Sequence, residues 1–270
     1  MKLRLGVRGM MWLTLVIMMW GIISCRTQEE KCLEEVLSLP LANKEELQKV
    51  LDYYKDDSLK YQAVCFLIRN MPFHAGYEGN ALKHYYQYFD IYAQGKLGPH
   101  EVIDSLKENS FSVSQLKRIE DIANIDSSLL VQNVDWAFKV WREQPWGKNV
   151  SFDNFCEFVL PYRLGDEPLG FWREDIYKRY NPILDSIRLL PQAQDPLVAA
   201  KVLMDSLVVE QSHFTGLFPA GPHLGPSVVS WRAGSCREFA DLVVYVMRAL
   251  GIPCGTDYMA MRGDNNVPHF

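Results

Sequence analysis

The 270-residue chain predicts an α+β protein, mainly helical over most of its length and closing in a helix followed by a β-hairpin. Three observations carry that expectation. Apolar residues recur at three- and four-residue intervals in successive segments between Leu33 and Val209. A later run sets Phe239, Leu242, Val243, Val246, Met247 and Leu250 on one side of a helix with well-marked ends. Beyond it, Gly255 to Met261 reads as a short strand, Arg262 to Asn266 as a turn, and Val267 to Phe270 as the start of a returning strand.

Residues 1–25 stand apart from the expected fold. Lys2, Arg4 and Arg8 form a positive n-region, Met10 to Ile23 is uncharged and apolar, and Ile22-Ile23-Ser24-Cys25 has the form of a bacterial lipobox. The apolar run is short for a full span. An ordinary signal peptide or an anchor helix is the alternative, but small Ser24 directly before Cys25 favours lipid attachment at Cys25. Residues 26–32 are then a polar tether, and the expected location is a membrane lipoprotein, at the outer membrane, facing the periplasm or the cell surface. The lipid bilayer is one expected partner.

Removing Lys2, Arg4 and Arg8 takes the formal charge from −5 to −8. So acidic a balance gives no electrostatic basis for binding nucleic acid. Beyond Cys25 the cysteines are Cys32, Cys65, Cys156, Cys236 and Cys254, an odd number that leaves at least one thiol unpaired within the chain. Their spacing contains no CxxC, so neither a zinc ribbon nor a thioredoxin-like redox centre is indicated, and no metal or cofactor is expected.

Residues 33–190 read as a mainly helical region. Asn43 before Lys44-Glu45-Glu46 caps a helix carrying Leu47, Val50, Leu51 and Tyr54. Ser58 to Met71 is a second helix closed by Pro72, Ala81 to Gln94 a third, and Pro99 opens a fourth through Val102, Ile103 and Leu106. Leu129 to Glu143 carries Val134, Trp136, Ala137, Val140 and Trp141. No fixed period links these segments, which argues against a solenoid. Asn70 to Tyr77 reads as a turn-rich link that projects His74 and Tyr77, either as a plain interhelical loop or as a substrate-facing wall. Phe152 to Arg163 begins as a short helix ended by Pro161. Arg163 after that stop is placed to clamp a polar substrate group, or to pair with Asp153, Glu157 or Asp166. Trp172 begins a helix toward Tyr180, interrupted by Pro182.

Residues 195–270 form the second region. Asp195-Pro196 leads into a helix over Val198 to Val209, and a stretch with Gly216, Pro219, Gly221, Pro222, Gly225 and Pro226 predicts a loop. That loop runs to Trp231 and Cys236, so it is a candidate cleft rim. His213 and His223 lack metal-ligand spacing with Cys236 and read as surface or structural histidines. Ser235 followed three residues later by Glu238 is a capping-box signature, making Cys236 the first residue of the helix. Arg248, Gly251 and Pro253 mark its other end. A thiol at a helix N-terminus meets unpaired N–H groups and the positive end of the macrodipole, which favours the nucleophilic thiolate. A cysteine there is equally able to be a small apolar filler.

Trp231-Arg-Ala-Gly-Ser-Cys-Arg-Glu-Phe-Ala-Asp-Leu-Val-Val-Tyr-Val-Met-Arg-Ala-Leu-Gly-Ile-Pro253, followed by Thr256-Asp-Tyr and Pro268-His-Phe, resembles the transglutaminase-like superfamily of papain-like cysteine proteins. Asn70-Met-Pro-Phe-His-Ala-Gly-Tyr77, the Phe155-to-Arg163 segment and Phe171-Trp-Arg-Glu174 extend the resemblance to a lipid-anchored group common in Bacteroidetes. It implies a papain-like, transglutaminase-like core with a helical N-terminal extension. It matches Cys236 to the nucleophile and His269 to the base, with a third triad acid expected beyond Phe270, so the core is expected to be incomplete at its C-terminus. Asp257 precedes the histidine and does not fit that third position. Trp231 is a possible oxyanion donor through its indole, or a packing aromatic. The implied function is acyl transfer at an amide, foremost hydrolysis of a peptide or related amide. Amine-accepting protein cross-linking and a noncatalytic binding or scaffold module are the alternatives.

Overall fold

A computed structural model describes residues 28–108, 112–209, 213–214, 221–260 and 269. The expected signal segment with Cys25, the expected turn at 262–266, and residues 267, 268 and 270 lie outside the described residues. The architecture is mixed but dominated by helices. Helix α1 spans 28–37. It is followed by α2 (Lys44–Tyr53), α3 (Ser58–Asn70), β1 (Ala75–Glu78), α4 (Asn80–Ala93), α5 (Pro99–Glu108), β2 (Lys117–Glu120), α6 (Asp121–Asn124), α7 (Ser127–Glu143) and α8 (Phe152–Phe158). The chain continues through α9 (Arg173–Tyr180), α10 (Pro196–Val209), β3 (His213–Phe214), α11 (Val228–Trp231), β4 (Ala233–Gly234) and α12 (Cys236–Ala249).

Local chemistry accounts for most helix limits. Asp57, Asp126 and Ser151 each accept a backbone N–H in the first turn of α3, α7 and α8. Asn43 stands before α2 without a side-chain cap bond, contrary to expectation. The Glu46 carboxylate of α2 instead reaches across to the start of α7, accepting from Ser127 N–H at 2.8 Å and Ser127 Oγ–H at 2.6 Å. Lys49 and Ser127 together hold Glu46 down to about 2.

Two strand pairs were not foreseen. β1 and β2 pair antiparallel, with Ala75 opposite Glu120 and Glu78 opposite Lys117, so the expected turn-rich link contains an edge of sheet. β3 and β4 pair in parallel over two residues each. Among the described residues, the expected C-terminal hairpin is represented by one antiparallel bridge, Met259 with His269, closed by reciprocal backbone bonds of 2.9 Å. Residues 255–258 have no regular structure.

The apolar faces form two cores on either side of α7. One joins Leu47, Val64 and Ile68 to Leu130, Phe138 and Phe155. The other joins Tyr85 and Phe89 of α4, Trp146, Trp172 and α9 to α10, α11 and α12. Residues from both expected regions therefore build the support of α12. Fully buried Trp146 donates its indole N–H to Leu250 O at 2.8 Å, fixing the end of α12. Buried Arg173 donates to Asn133 Oδ1, to Arg248 O and to the carbonyls of Val159, Leu160 and Pro161. That one guanidinium satisfies acceptors of α7, of the segment after α8 and of α12. Among the described residues no helix is long and apolar enough to cross a membrane.

Candidate functional site

Helix α12 begins where the sequence places it, with Ser235 as N-cap and Cys236 as its first residue. The chain reaches that point through Arg232 in the left-handed region at φ 48° and Gly234 at φ 142°. A Cβ on Gly234 would lie 2.3 Å from Glu238 Cβ. The close approach that Gly234 permits is therefore to its own helix. The Glu238 carboxylate accepts from Ser235 N–H at 2.8 Å and from Ser235 Oγ–H at 2.6 Å, and from Arg237 Nε–H at 2.8 Å. Burial pushes Glu238 up, but Arg237 and Ser235 together hold it below the usual carboxylate range. Arg237 also donates to Gly221 O and Pro222 O, tying the preceding loop to the first turn. Cys236 sits half-buried on this mount with a free thiol.

His269 is half-buried and placed through its backbone bridge to Met259. No hydrogen bond joins Cys236 to His269 among the described residues. The Trp231 ring lies 5.3 Å from that of Tyr86 and is stacked 6.0 Å from that of Phe89, which gives it a core-packing role.

The three residues expected to face substrate divide. His74 and Tyr77 line an open cavity of about 410 Å³ between β1, the 164–166 turn and His223. Burial and the charge of Arg163 lower the His74 pKa, so its imidazole is neutral near pH 7. Tyr77 N–H donates to Asp166 O at 3.0 Å. Arg163 is not an exposed clamp. It is buried and ion-paired to buried Asp121 at 2.8 Å, rather than to Asp153, Glu157 or Asp166. Tyr162 O–H donates to the other Asp121 oxygen at 2.8 Å. The Arg163 guanidinium borders a smaller cavity of about 140 Å³ with Gly76, Tyr77 and Asp121.

Sequence reasoning missed a polar stripe along α12. Glu238, Asp241, Tyr245 and Arg248 are all buried, at the three-four-three spacing of one helical face. Tyr245 O–H donates to buried Glu167 at 2.6 Å, and Arg248 donates to Cys254 O and Arg163 O. Asp241 Oδ2 lies 2.8 Å from His223 Nδ1. His223, read from spacing as a surface or structural histidine, is thus half of a histidine–carboxylate pair. The available signal was the polar periodicity embedded in the apolar one. Among the described residues no three His, Cys, Asp or Glu side chains are grouped to hold a metal ion. No protein-family model, characterised protein or solved structure matches the chain.

Proposed function

We propose that this protein is a cysteine-dependent acyl-transfer enzyme acting on an amide, with hydrolysis of a peptide or related amide as its reaction. The observation that carries the reading is Cys236 itself, half-buried at the first position of the 14-residue α12, on a first turn braced by Glu238 and Arg237. His269 is the proposed base, and a papain-like, transglutaminase-like core is the proposed framework. His269 takes the thiol proton, the thiolate adds to the amide carbonyl carbon, and the C–N bond breaks as the imidazolium returns that proton to the leaving amine. Water then adds to the thioester, releasing the acid and restoring the thiol. An amine in place of water gives cross-linking by the same first half. The Cys236 backbone N–H is suited to hold the oxyanion, with Trp231 as a further candidate donor. Attachment to a bilayer through Cys25 places the reaction at a membrane surface.

A noncatalytic binding module is the second reading. It is favoured by the Glu238 carboxylate, which puts a negative charge at the helix end where a thiolate would form. Comparing the parent with Cys236→Ser and His269→Gln in pH-dependent iodoacetamide labelling, circular dichroism and turnover of a peptide and amide library separates the two. The expected outcome is selective labelling of Cys236 below the pH at which the other thiols react. Both variants should remain folded and lose turnover by about 10²-fold or more. Ordinary reactivity of Cys236 in a folded parent, or turnover that survives both substitutions, overturns the enzymatic reading. Mass spectrometry after expression in a lipoprotein-processing host should find a lipidated N-terminal Cys25; cleavage elsewhere without lipid overturns the anchoring.

A further inference from the structure

The cavity of about 410 Å³ is lined by a histidine held from several sides. His223 is fixed at three points. Its backbone N–H donates to Asp166 Oδ1 at 2.7 Å, its Nδ1 meets Asp241 Oδ2 at 2.8 Å, and its ring lies flat over Gly165. A Cβ on Gly165 would fall 2.4 Å from His223 Cδ2 and 2.6 Å from Nε2, so only glycine admits the ring there. Asp241 is 1% exposed, and its second oxygen has no hydrogen-bond partner among the described residues. A buried carboxylate kept with one oxygen unsatisfied costs stability, offset only in part by the imidazole. The histidine side chain, by contrast, is 20% exposed, lines the cavity, and makes no hydrogen bond through Nε2 among the described residues. A carboxylate behind Nδ1 fixes the tautomer and leaves Nε2 for a ligand.

The charges around the ring decide which ligand fits. Burial lowers the His223 pKa, but the Asp241 hydrogen bond and charge outweigh it and raise the pKa above the usual value. Nε2 is therefore an N–H donor over a wider pH range than in a free histidine. Arg118 adds a guanidinium at the rim, anchored to Glu120 at 2.6 Å, and Phe73, 82% exposed, supplies an apolar edge. Also lining the cavity are neutral His74, Tyr77 and Asp166, while Arg237, Asp241 and buried Glu167 act on the imidazole electrostatically. Asp166 and the formal net charge of −5 oppose a dianion. A singly charged group with two acceptor oxygens, joined to an apolar body, matches the lining.

We propose that this cavity is a binding site for the carboxylate of a small organic acid or of a peptide chain terminus, held by His223 Nε2–H and Arg118. Cys236 does not line this cavity, and carboxylate binding here does not depend on its chemistry. Hippurate, benzoate and hippuramide are suitable probes for calorimetry and for NMR titration of the histidine imidazoles. Hippurate should bind saturably at pH 6, raise the His223 pKa, and bind progressively less as the pH rises through that pKa. His223→Gln should weaken binding by about tenfold or more. Asp241→Asn should shift the pH dependence downward, and Cys236→Ser should bind as the parent does, even if the acyl-transfer reading fails. A preference for hippurate over benzoate assigns the site to chain termini, and equal affinity assigns it to small acids. Equal binding of hippuramide, full affinity in His223→Gln, or stronger binding of inorganic phosphate overturns the proposal. Should His223→Gln not fold, a parent His223 pKa unmoved by saturating hippurate overturns it as well.

Discussion

At the scale of single residues, the positions that matter most are those where chemistry and geometry conflict unless one identity is kept. Gly234 combines φ 142° with a Glu238 side chain that would overlap any Cβ. Gly234→Ala is expected to lower stability by about 1–3 kcal/mol, read as a drop in the denaturant midpoint, with the loss concentrated in the first turn of α12 by hydrogen exchange. Arg163 shows a different dependence. Its ion pair with Asp121 is buried on both sides, and burial already pushes Asp121 up to about 6 against the pull of Arg163 and Tyr162. Arg163→Met strands that carboxylate, and urea unfolding near pH 8 should show a loss of about 3–5 kcal/mol. The loss should shrink toward pH 5, where Asp121 takes up a proton. Cys236 was legible in sequence because a cap and its helix are adjacent along the chain. The partner of Arg163 was not, since Asp121 is brought to it only when β2 and α6 fold against the 162–167 segment.

At the scale of elements, periodicity located the helices because each apolar stripe of α2, α3, α4, α7 and α12 is contained within one segment. The strands were invisible for the complementary reason. β1 and β2 have four residues each, too few to show alternation, and pair across two intervening helices. The expected strand from Gly255 to Met261 has no regular structure over residues 255–258, where Gly255 and Asp257 supply little of the β-branched or aromatic surface that sustains a ladder. Contacts between elements also carry a pH signature. The Glu46 bond to the start of α7 belongs to a carboxyl held at about 2, below its ordinary 4.5, so its contribution is complete above 4.5 and disappears as the pH falls toward 2. Glu46→Gln should therefore be less stable than the parent at pH 6, with thermal midpoints that converge on acidification.

For the whole molecule, the two cores make the C-terminal helix dependent on residues far upstream. Tyr85, Phe89, Trp146 and Trp172 share a buried cluster with Leu242, Val246 and Leu250. A fragment of residues 195–270 is expected to lack the cooperative unfolding transition of the longer chain, which circular dichroism with temperature checks directly. Arg173 suggests a test of the order of assembly. Its five acceptors lie on α7, on the segment after α8 and at the end of α12, with 75 residues separating it from Arg248. No subset of those elements can complete the cluster, so it is expected to form late in folding, after the rate-limiting barrier. Replacing Arg173 with methionine should then accelerate unfolding by about tenfold or more while changing the refolding rate by less than about twofold, as stopped-flow fluorescence would measure. With those rates, the buried guanidinium would be a latch in time: governing how long the assembled protein stays closed, with little influence on how fast it closes.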